Sequence, residues 1–138
     1  MSPAAVDRVT LPQALLDTVV QAARSALPLE CCGLLLGRGS RLYEPYRARN
    51  LLASPVRYRI DPVDHFAAIR HARDLGLVVL GAYHSHPHTP PDASETDVAE
   101  AAGEGFLDLI VQGDSGAHRL YRVAQGSLRP VDVRVTPD

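Results

Sequence analysis

The most constraining feature of this sequence is the apolar run at residues 77–83, which ends at the polar sequence His84-Ser85-His86-Pro87. A strand that is apolar on both faces must be covered on both, so the run predicts a strand at the centre of a sheet. Proline lacks the N–H that a sheet requires, and Pro87 should therefore end the strand at the edge of the sheet. Residues two apart on a strand face the same way, so His84 and His86 can converge on one ion.

The rest of the chain alternates between helical and strand patterns, without a repeat or a low-complexity linker. Three helices are predicted. The first runs from Leu11-Pro12 to about Leu27, and its apolar face consists of Leu15, Val19, Ala22, Ala23 and Ala26. The second runs from the N-cap Asp61 and Pro62 to Gly76, with Phe66, Ala67 and Ile69 facing inward, and the third covers residues 94–103. Further strands are predicted at residues 6–10, 32–37, 41–49, 58–60, 106–111, 119–123 and 128–135.

Helices interspersed among strands indicate the α/β or α+β class, with a mixed central β-sheet flanked by helices. The connections are too short for a closed barrel with a helix after every strand. A chain of 138 residues fits one domain, which we expect to span residues 1–138.

Composition excludes several functions. All 14 basic residues are arginine, so Schiff-base lysine chemistry, the phosphate-binding loop that ends in Gly-Lys-Ser/Thr and kinase mechanisms are ruled out. A formal net charge of −2 predicts no nucleic-acid partner. Cys31 and Cys32 are adjacent and poorly placed for a disulfide, which favours a reducing cytoplasm, and the composition is typical of a high-GC bacterial genome. We expect neither a signal peptide in the first eight residues nor a membrane-spanning segment.

Ten residues separate His86 from Asp97, which lies in the sequence Ser94-Glu95-Thr96-Asp97 at a predicted helix start. Two histidines and an aspartate form a three-ligand set for Zn²⁺ with a fourth position open to water, as in catalytic zinc sites. The alternative reading is a capping box, in which Ser94 caps the helix and Asp97 reaches back to it. Both roles are compatible. His88 is expected at the mouth of the site, and His65, His71 and His118 are expected to be ordinary histidines.

Together these residues resemble the JAMM motif of the MPN-plus metallopeptidases. Residues 28–37 (PLECCGLLLG) also resemble the upstream signature of that family, Pro-x-Glu-x-Cys-Gly-Leu-Leu-x-Gly. The resemblance implies that His84, His86 and Asp97 bind one zinc ion per chain. It further implies that Glu30 is the acid/base that hydrogen-bonds the zinc-bound water, that Ser94 steadies the oxyanion, and that the fold resembles that of the cytidine deaminases.

The implied reaction is hydrolysis of the amide bond after the C-terminal Gly-Gly of a ubiquitin-like or sulfur-carrier protein, for example a carrier–cysteine adduct. The expected partner is therefore a protein with a Gly-Gly tail. Two alternatives remain open at the level of sequence: a non-catalytic MPN-type scaffold that binds proteins, and a zinc amidase that acts on a small molecule.

Overall fold

The computed structural model describes residues 7–138, in which seven strands and three helices follow one another in the order below. They are β1 (Arg8–Pro12), α1 (Gln13–Ala26), β2 (Cys32–Arg38), β3 (Arg41–Ala48), α2 (Pro62–Asp74), β4 (Val78–His86), α3 (Glu95–Ala99), β5 (Leu107–Gln112), β6 (His118–Ala124) and β7 (Ser127–Thr136). Among these residues, no helix has the length and apolar character that crossing a membrane requires.

The strands form one mixed sheet in the order β1-β3-β2-β4-β5-β6-β7. β4 lies in the middle, antiparallel to β2 and parallel to β5, as its apolar sequence predicts. β1 runs parallel to β7 over five residues and also meets β3 at one position, where Thr10 pairs with Arg41, so the sheet closes on itself. The predicted mixed sheet with flanking helices is confirmed. Its closure was not predicted, because it depends on β1 pairing with the last strand of the chain.

The two long helices cover opposite faces of the central strands. α1 buries Leu15, Val19 and Ala23 in a cluster with Leu35 of β2 and Leu109 of β5, among other residues. On the other face, α2 contributes Ala68 and Ala72 to a cluster with Leu34, Leu36 and Ala82. Successive residues of β2 thus point into different clusters. Because both faces of the strand are buried, its sequence is a continuous apolar run.

The beginning of α1 differs from the prediction. The strand β1 runs from Arg8 to Pro12, and the helix begins only at Gln13, because residues 8–12 pair with residues 132–136 of β7. Pro12 keeps an extended backbone, with φ −78° and ψ 149°, and serves as the N-cap. The predicted helix start at Leu11-Pro12 is therefore wrong by two residues. Val6, the predicted first residue of the strand, lies outside the described residues.

The inward face of α2 was also predicted wrongly. Asp61 caps the helix as expected, since its side chain accepts a hydrogen bond from the N–H of Val63. However, Phe66 is 66% exposed and Ile69 is 37% exposed, whereas Ala68 and Ala72 are buried. The face that meets the sheet carries small side chains one turn apart, which allow the helix to approach the strands closely.

Two shorter predictions fail near the end of β4. The predicted helix over residues 94–103 ends at Ala99, where Glu100 leaves the helix and pairs with Arg57. The predicted strand at residues 58–60 reduces to one bridge between Asn50 and Ile60. Tertiary contacts decide both differences, because the segment that contains Arg57 packs against the end of α3 instead of joining the sheet.

Candidate metal centre

The three predicted ligands meet where β4 ends and α3 begins. His84 and His86 are the seventh and ninth residues of β4, and Asp97 lies in the first turn of α3. Their ligand atoms all lie within 4.8 Å of one another. Nε2 of His84 lies 3.0 Å from Oδ1 of Asp97, and Nε2 of His86 lies 3.0 Å from Oδ2 of the same carboxylate. The structure therefore brings all three residues together, with one carboxylate oxygen facing each imidazole.

The opposite ring nitrogens are engaged by acceptors. Nδ1 of His84 lies 3.1 Å from Oδ1 of Asp108, and Nδ1 of His86 lies 2.8 Å from the carbonyl oxygen of Pro90. A carbonyl oxygen only accepts, so Nδ1 of His86 carries the hydrogen, and the carboxylate of Asp108 favours the same tautomer of His84. In a neutral ring this leaves the lone pair at Nε2, which is the atom directed at Asp97.

A cation is needed between these groups. Two imidazole lone pairs directed at a carboxylate repel it unless a proton or a metal ion lies between them. Nε2 of His84 is buried and makes no hydrogen bond, despite its distance of 3.0 Å from Asp97. Burial lowers the pKa of His84, but the carboxylates of Asp108 and Asp97 outweigh this effect and raise the pKa to about 10. The residues thus fit a divalent metal, whose binding would displace protons from the histidines.

Asp97 has both of the roles that the sequence left open. Its Oδ2 accepts a hydrogen bond from the N–H of Ser94 at 2.9 Å, and its own N–H donates to Oγ of Ser94 at 3.0 Å, which completes a capping box. The same carboxylate faces both imidazoles. Burial opposes the shift, but the neighbouring imidazoles of His84 and His86 outweigh it and hold the pKa of this carboxylate well below its usual range. The cap therefore fixes the orientation of the carboxylate that faces the two imidazoles.

Glu30 lies buried beside this cluster, with 6% of its surface exposed. Burial raises the pKa of its carboxyl group to about 7, although the positive charges of His84 and His86 oppose the shift. Its Oε1 atom is buried and has no hydrogen-bond partner within residues 7–138. A carboxylate with a pKa near neutrality and a free acceptor is suited to exchange a proton at this position.

Two residues of the site were missed at the level of sequence. Asp108, which contacts His84, stands in the otherwise apolar strand β5 and is 8% exposed. A buried acid within an apolar strand is a signal that could have identified it. Tyr58 stacks on the ring of His84, with ring centroids 4.4 Å apart and planes 19° apart. Nothing in the local sequence marks Tyr58, because its contact with His84 joins two segments that are distant in the sequence.

The other titratable residues near the motif lie outside the cluster. His88 is exposed and contacts Asp114, and Asp92 forms an ion pair with Arg119. Cys31 and Cys32 are both free and buried, and they belong to different core clusters on opposite faces of the sheet.

Two cavities lie near the cluster. A cavity of about 460 Å³ is lined by Leu52, by residues 57–60 and by Glu100. A second cavity, of about 260 Å³, shares Tyr58, Ile60 and Glu100 with the first and reaches Asp108. Both include Tyr58, whose ring stacks on His84, so both cavities lie one residue away from the candidate metal ligands.

The chain is similar to known proteins over most of its length. A family model for prokaryotic homologs of the JAB domain matches residues 12–124, a range that includes both sequence blocks of the motif. A desampylase of Pyrococcus furiosus is 34% identical over 115 residues, which cover 83% of this chain and 81% of that protein. A desampylase of Haloferax volcanii is 30% identical over 114 residues, which cover 78% of this chain and 82% of that protein.

A solved structure shows the same fold. The solution structure of a protein from Desulfitobacterium hafniense superimposes with a TM-score of 0.84 at 28% sequence identity and covers 94% of each chain. The mixed closed sheet with two flanking helices is therefore shared with an experimentally determined structure.

Proposed function

The chain belongs to the family of prokaryotic homologs of the JAB domain and is a hydrolase, and from this premise we propose that it is a zinc-dependent isopeptidase. Its substrate would be the amide bond that follows the C-terminal Gly-Gly of a ubiquitin-like or sulfur-carrier protein. The observation that carries this proposal is the arrangement of His84, His86 and Asp97, whose ligand atoms converge within 4.8 Å beside the buried carboxylate of Glu30.

One zinc ion per chain would be held by these three side chains, with a fourth position for water. When bound, zinc supplies an acidified water and polarises the scissile carbonyl. We propose zinc because two imidazoles and one carboxylate form one of its common catalytic ligand sets, and no thiolate is involved.

The protein's own groups supply the proton transfers. Glu30 would accept the proton of the attacking water and return it to the departing amine, for which its pKa of about 7 is well placed. Oγ of Ser94 accepts the hydrogen bond from Asp97, which leaves the hydroxyl hydrogen free to donate to the oxyanion. Glu30 and Ser94 thus retain the acid/base and oxyanion roles that the motif implies.

Two observations support a glycine tail as the substrate. The desampylases that resemble this chain cover most of its length, which favours a ubiquitin-like modifier. The cavity of about 460 Å³ along residues 57–60 gives room for a tail without side chains, which would bind through its main chain. Carrier proteins of sulfur metabolism have the same Gly-Gly end and are equally suitable in their chemistry.

The test uses protein loaded with one equivalent of zinc and Gly-Gly-tailed carriers, supplied both as lysine isopeptide conjugates and as carboxy-terminal cysteine adducts. Intact mass spectrometry should show the carrier released with a free Gly-Gly terminus. A matched carrier that ends in Ala-Ala should remain uncut, and the Glu30→Gln variant should be inactive.

Different results would separate the remaining functions. Binding of the carriers without cleavage by zinc-loaded protein would indicate the scaffold and contradict the proposal. Cleavage of small acyl-amides together with indifference to every carrier would indicate a small-molecule amidase. Equal cleavage of the Gly-Gly and Ala-Ala carriers would contradict the proposed specificity but leave the hydrolytic mechanism in place.

A further inference from the structure

Glu30 is not held by the sheet. It precedes β2, which begins at Cys32, so no neighbouring strand pairs with it. Its main-chain N–H donates to the carbonyl oxygen of Ser54 at 2.9 Å, and its carbonyl oxygen accepts a hydrogen bond from Nδ2 of Asn50 at 3.1 Å. Both main-chain groups are therefore bound by residues 50–60, a segment that we name the 50–60 loop.

Asn50 is the hub of this loop. Its Nδ2 donates to the carbonyl oxygens of Glu30 and Arg57, both at 3.1 Å. Its Oδ1 accepts from the N–H groups of Leu52 at 3.1 Å and Arg59 at 3.0 Å. Two partners are carbonyls and two are N–H groups, so one orientation of the amide satisfies all four. Asn50, the single asparagine of the sequence, thus joins the two arms of the loop to Glu30.

The residue after Glu30 is bound to the metal-facing strand. The N–H of Cys31 donates to Oγ of Ser85 at 2.8 Å, and the N–H of Ser85 donates to the carbonyl oxygen of Cys31 at 3.1 Å. Ser85 stands between His84 and His86. Glu30 is therefore placed between two attachments, one to the strand that carries the histidines and one to the 50–60 loop.

The side chain of Glu30 has no comparable anchor. Its Oε1 has no hydrogen-bond partner within the described part of the chain, and a buried carboxylate gains free energy by turning toward water. The neighbouring Leu29 is 37% exposed, so solvent lies within one residue. Within the described residues, the hydrogen bonds that hold Glu30 are those of its main chain.

We infer that Asn50 is a positioning residue for catalysis, which holds the main chain of Glu30 so that the carboxylate stays buried beside the candidate metal ligands. The inference rests on the proposed function, because Glu30 has its acid/base role only there. Asn50 touches neither the substrate nor the reacting atoms, and it acts through Glu30.

The test compares zinc-loaded wild-type protein with Asn50→Asp, which keeps the oxygen acceptor but loses both N–H donors. A displacement of about 1 Å at a catalytic group can cost about 100-fold in rate, so we expect kcat to fall at least tenfold. KM should stay within about twofold, and zinc content should remain equal to that of the wild type. The uncharged variant Asn50→Ser should show the same pattern, which separates loss of the donors from the added charge.

The matched control is Ser54→Ala. It removes a hydrogen bond within the same loop, in which Oγ of Ser54 accepts from the N–H of Val56, but it keeps the main-chain carbonyl that binds Glu30. Its kcat should stay within about twofold of wild type.

Amide hydrogen exchange provides a readout that does not depend on activity. In Asn50→Asp, the N–H of Glu30 should exchange at least tenfold faster, while the N–H of Cys31, which is bound to Ser85, should keep its protection. Unchanged protection at Glu30, or an unchanged kcat, would overturn the inference. If wild-type protein cleaves no carrier, the proposed function fails, whereas the exchange experiment still tests the tether.

Discussion

At the scale of single residues, the site depends on how each imidazole is oriented. Asp108 binds Nδ1 of His84 at 3.1 Å, while Tyr58 covers the face of the same ring. The carbonyl oxygen of Pro90 has the corresponding role for His86. Such outer partners fix the tautomer and increase the basicity of the nitrogen that faces the metal. A motif of three ligands is therefore incomplete without the acceptors behind them.

Asp108→Ala should weaken zinc binding by about 10- to 100-fold, because His84 loses the acceptor that fixes its tautomer. The measurement is competition with a calibrated chelator. Asp114→Ala is the matched control, since it removes a carboxylate from the exposed histidine His88 and should leave zinc affinity unchanged. Equal affinities for both variants would show that Asp108 does not orient the ligand.

Glu30→Gln should keep zinc but lose turnover, because an amide cannot accept the proton of the water. The same change should stabilise chelator-treated protein at high pH. Burial raises the pKa of Glu30 from 4.5 to about 7, so the folded state loses stability as the pH rises through that interval, and the glutamine avoids the loss. The gain should be at most about 3 kcal/mol at pH 8 and should nearly vanish at pH 4 in urea titrations. A variant that is active, or equally stabilised at both pH values, would contradict this assignment.

At the scale of elements, α3 shows how a short helix serves a site. It has five residues and no buried ones, so packing contributes little to its stability. The capping box of Ser94 and Asp97 begins the helix, and the same carboxylate faces His84 and His86. The cap and the candidate metal site are therefore one structure, and each is expected to stabilise the other.

Asp97→Ala and Ser94→Ala distinguish the two roles. Both variants lose the cap, which costs about 1 kcal/mol. Only Asp97→Ala removes a ligand, so zinc content after dialysis should fall well below one per chain in that variant and stay near one in Ser94→Ala. Metal analysis of the dialysed proteins provides the measurement. If Asp97→Ala retained zinc, Asp97 would be a helix cap and not a metal ligand.

At the scale of the whole molecule, the candidate site joins distant parts of the chain. β4 carries the histidines at the centre of the sheet, and α3 carries Asp97. The ion pair between Arg57 and Glu100 connects the end of α3 to the 50–60 loop, which in turn binds Glu30. A bound metal should therefore stabilise the folded state in addition to its role in the reaction.

Zinc should raise the melting temperature. At a free concentration of about 100 times Kd, a ligand that binds only the folded state adds about 2.7 kcal/mol. For a chain of this size, that corresponds to a rise in Tm of roughly 10 °C relative to chelator-treated protein. Differential scanning calorimetry gives the measurement, and Asp97→Ala should show little or no rise. Identical melting curves with zinc and with chelator would contradict the proposed metal centre.

The central strand and the convergence of the two histidines follow from local sequence alone. The alternation of side chains along β4 and the stop at Pro87 are local properties, and they place His84 and His86 on one face whatever the rest of the chain does. The capping signal at Ser94 and Asp97 is equally local, and it placed the third candidate ligand in the first turn of a helix.

The other features of the fold and of the site depend on contacts between distant segments. Closure of the sheet depends on β1 meeting β7 across most of the chain length, and the true inner face of α2 depends on how closely that helix approaches the sheet. Asp108, Tyr58 and Asn50 reach the site through contacts between segments distant in sequence. The hydrophobic periodicity of a segment does not indicate such contacts, because they exist only when the whole chain has folded.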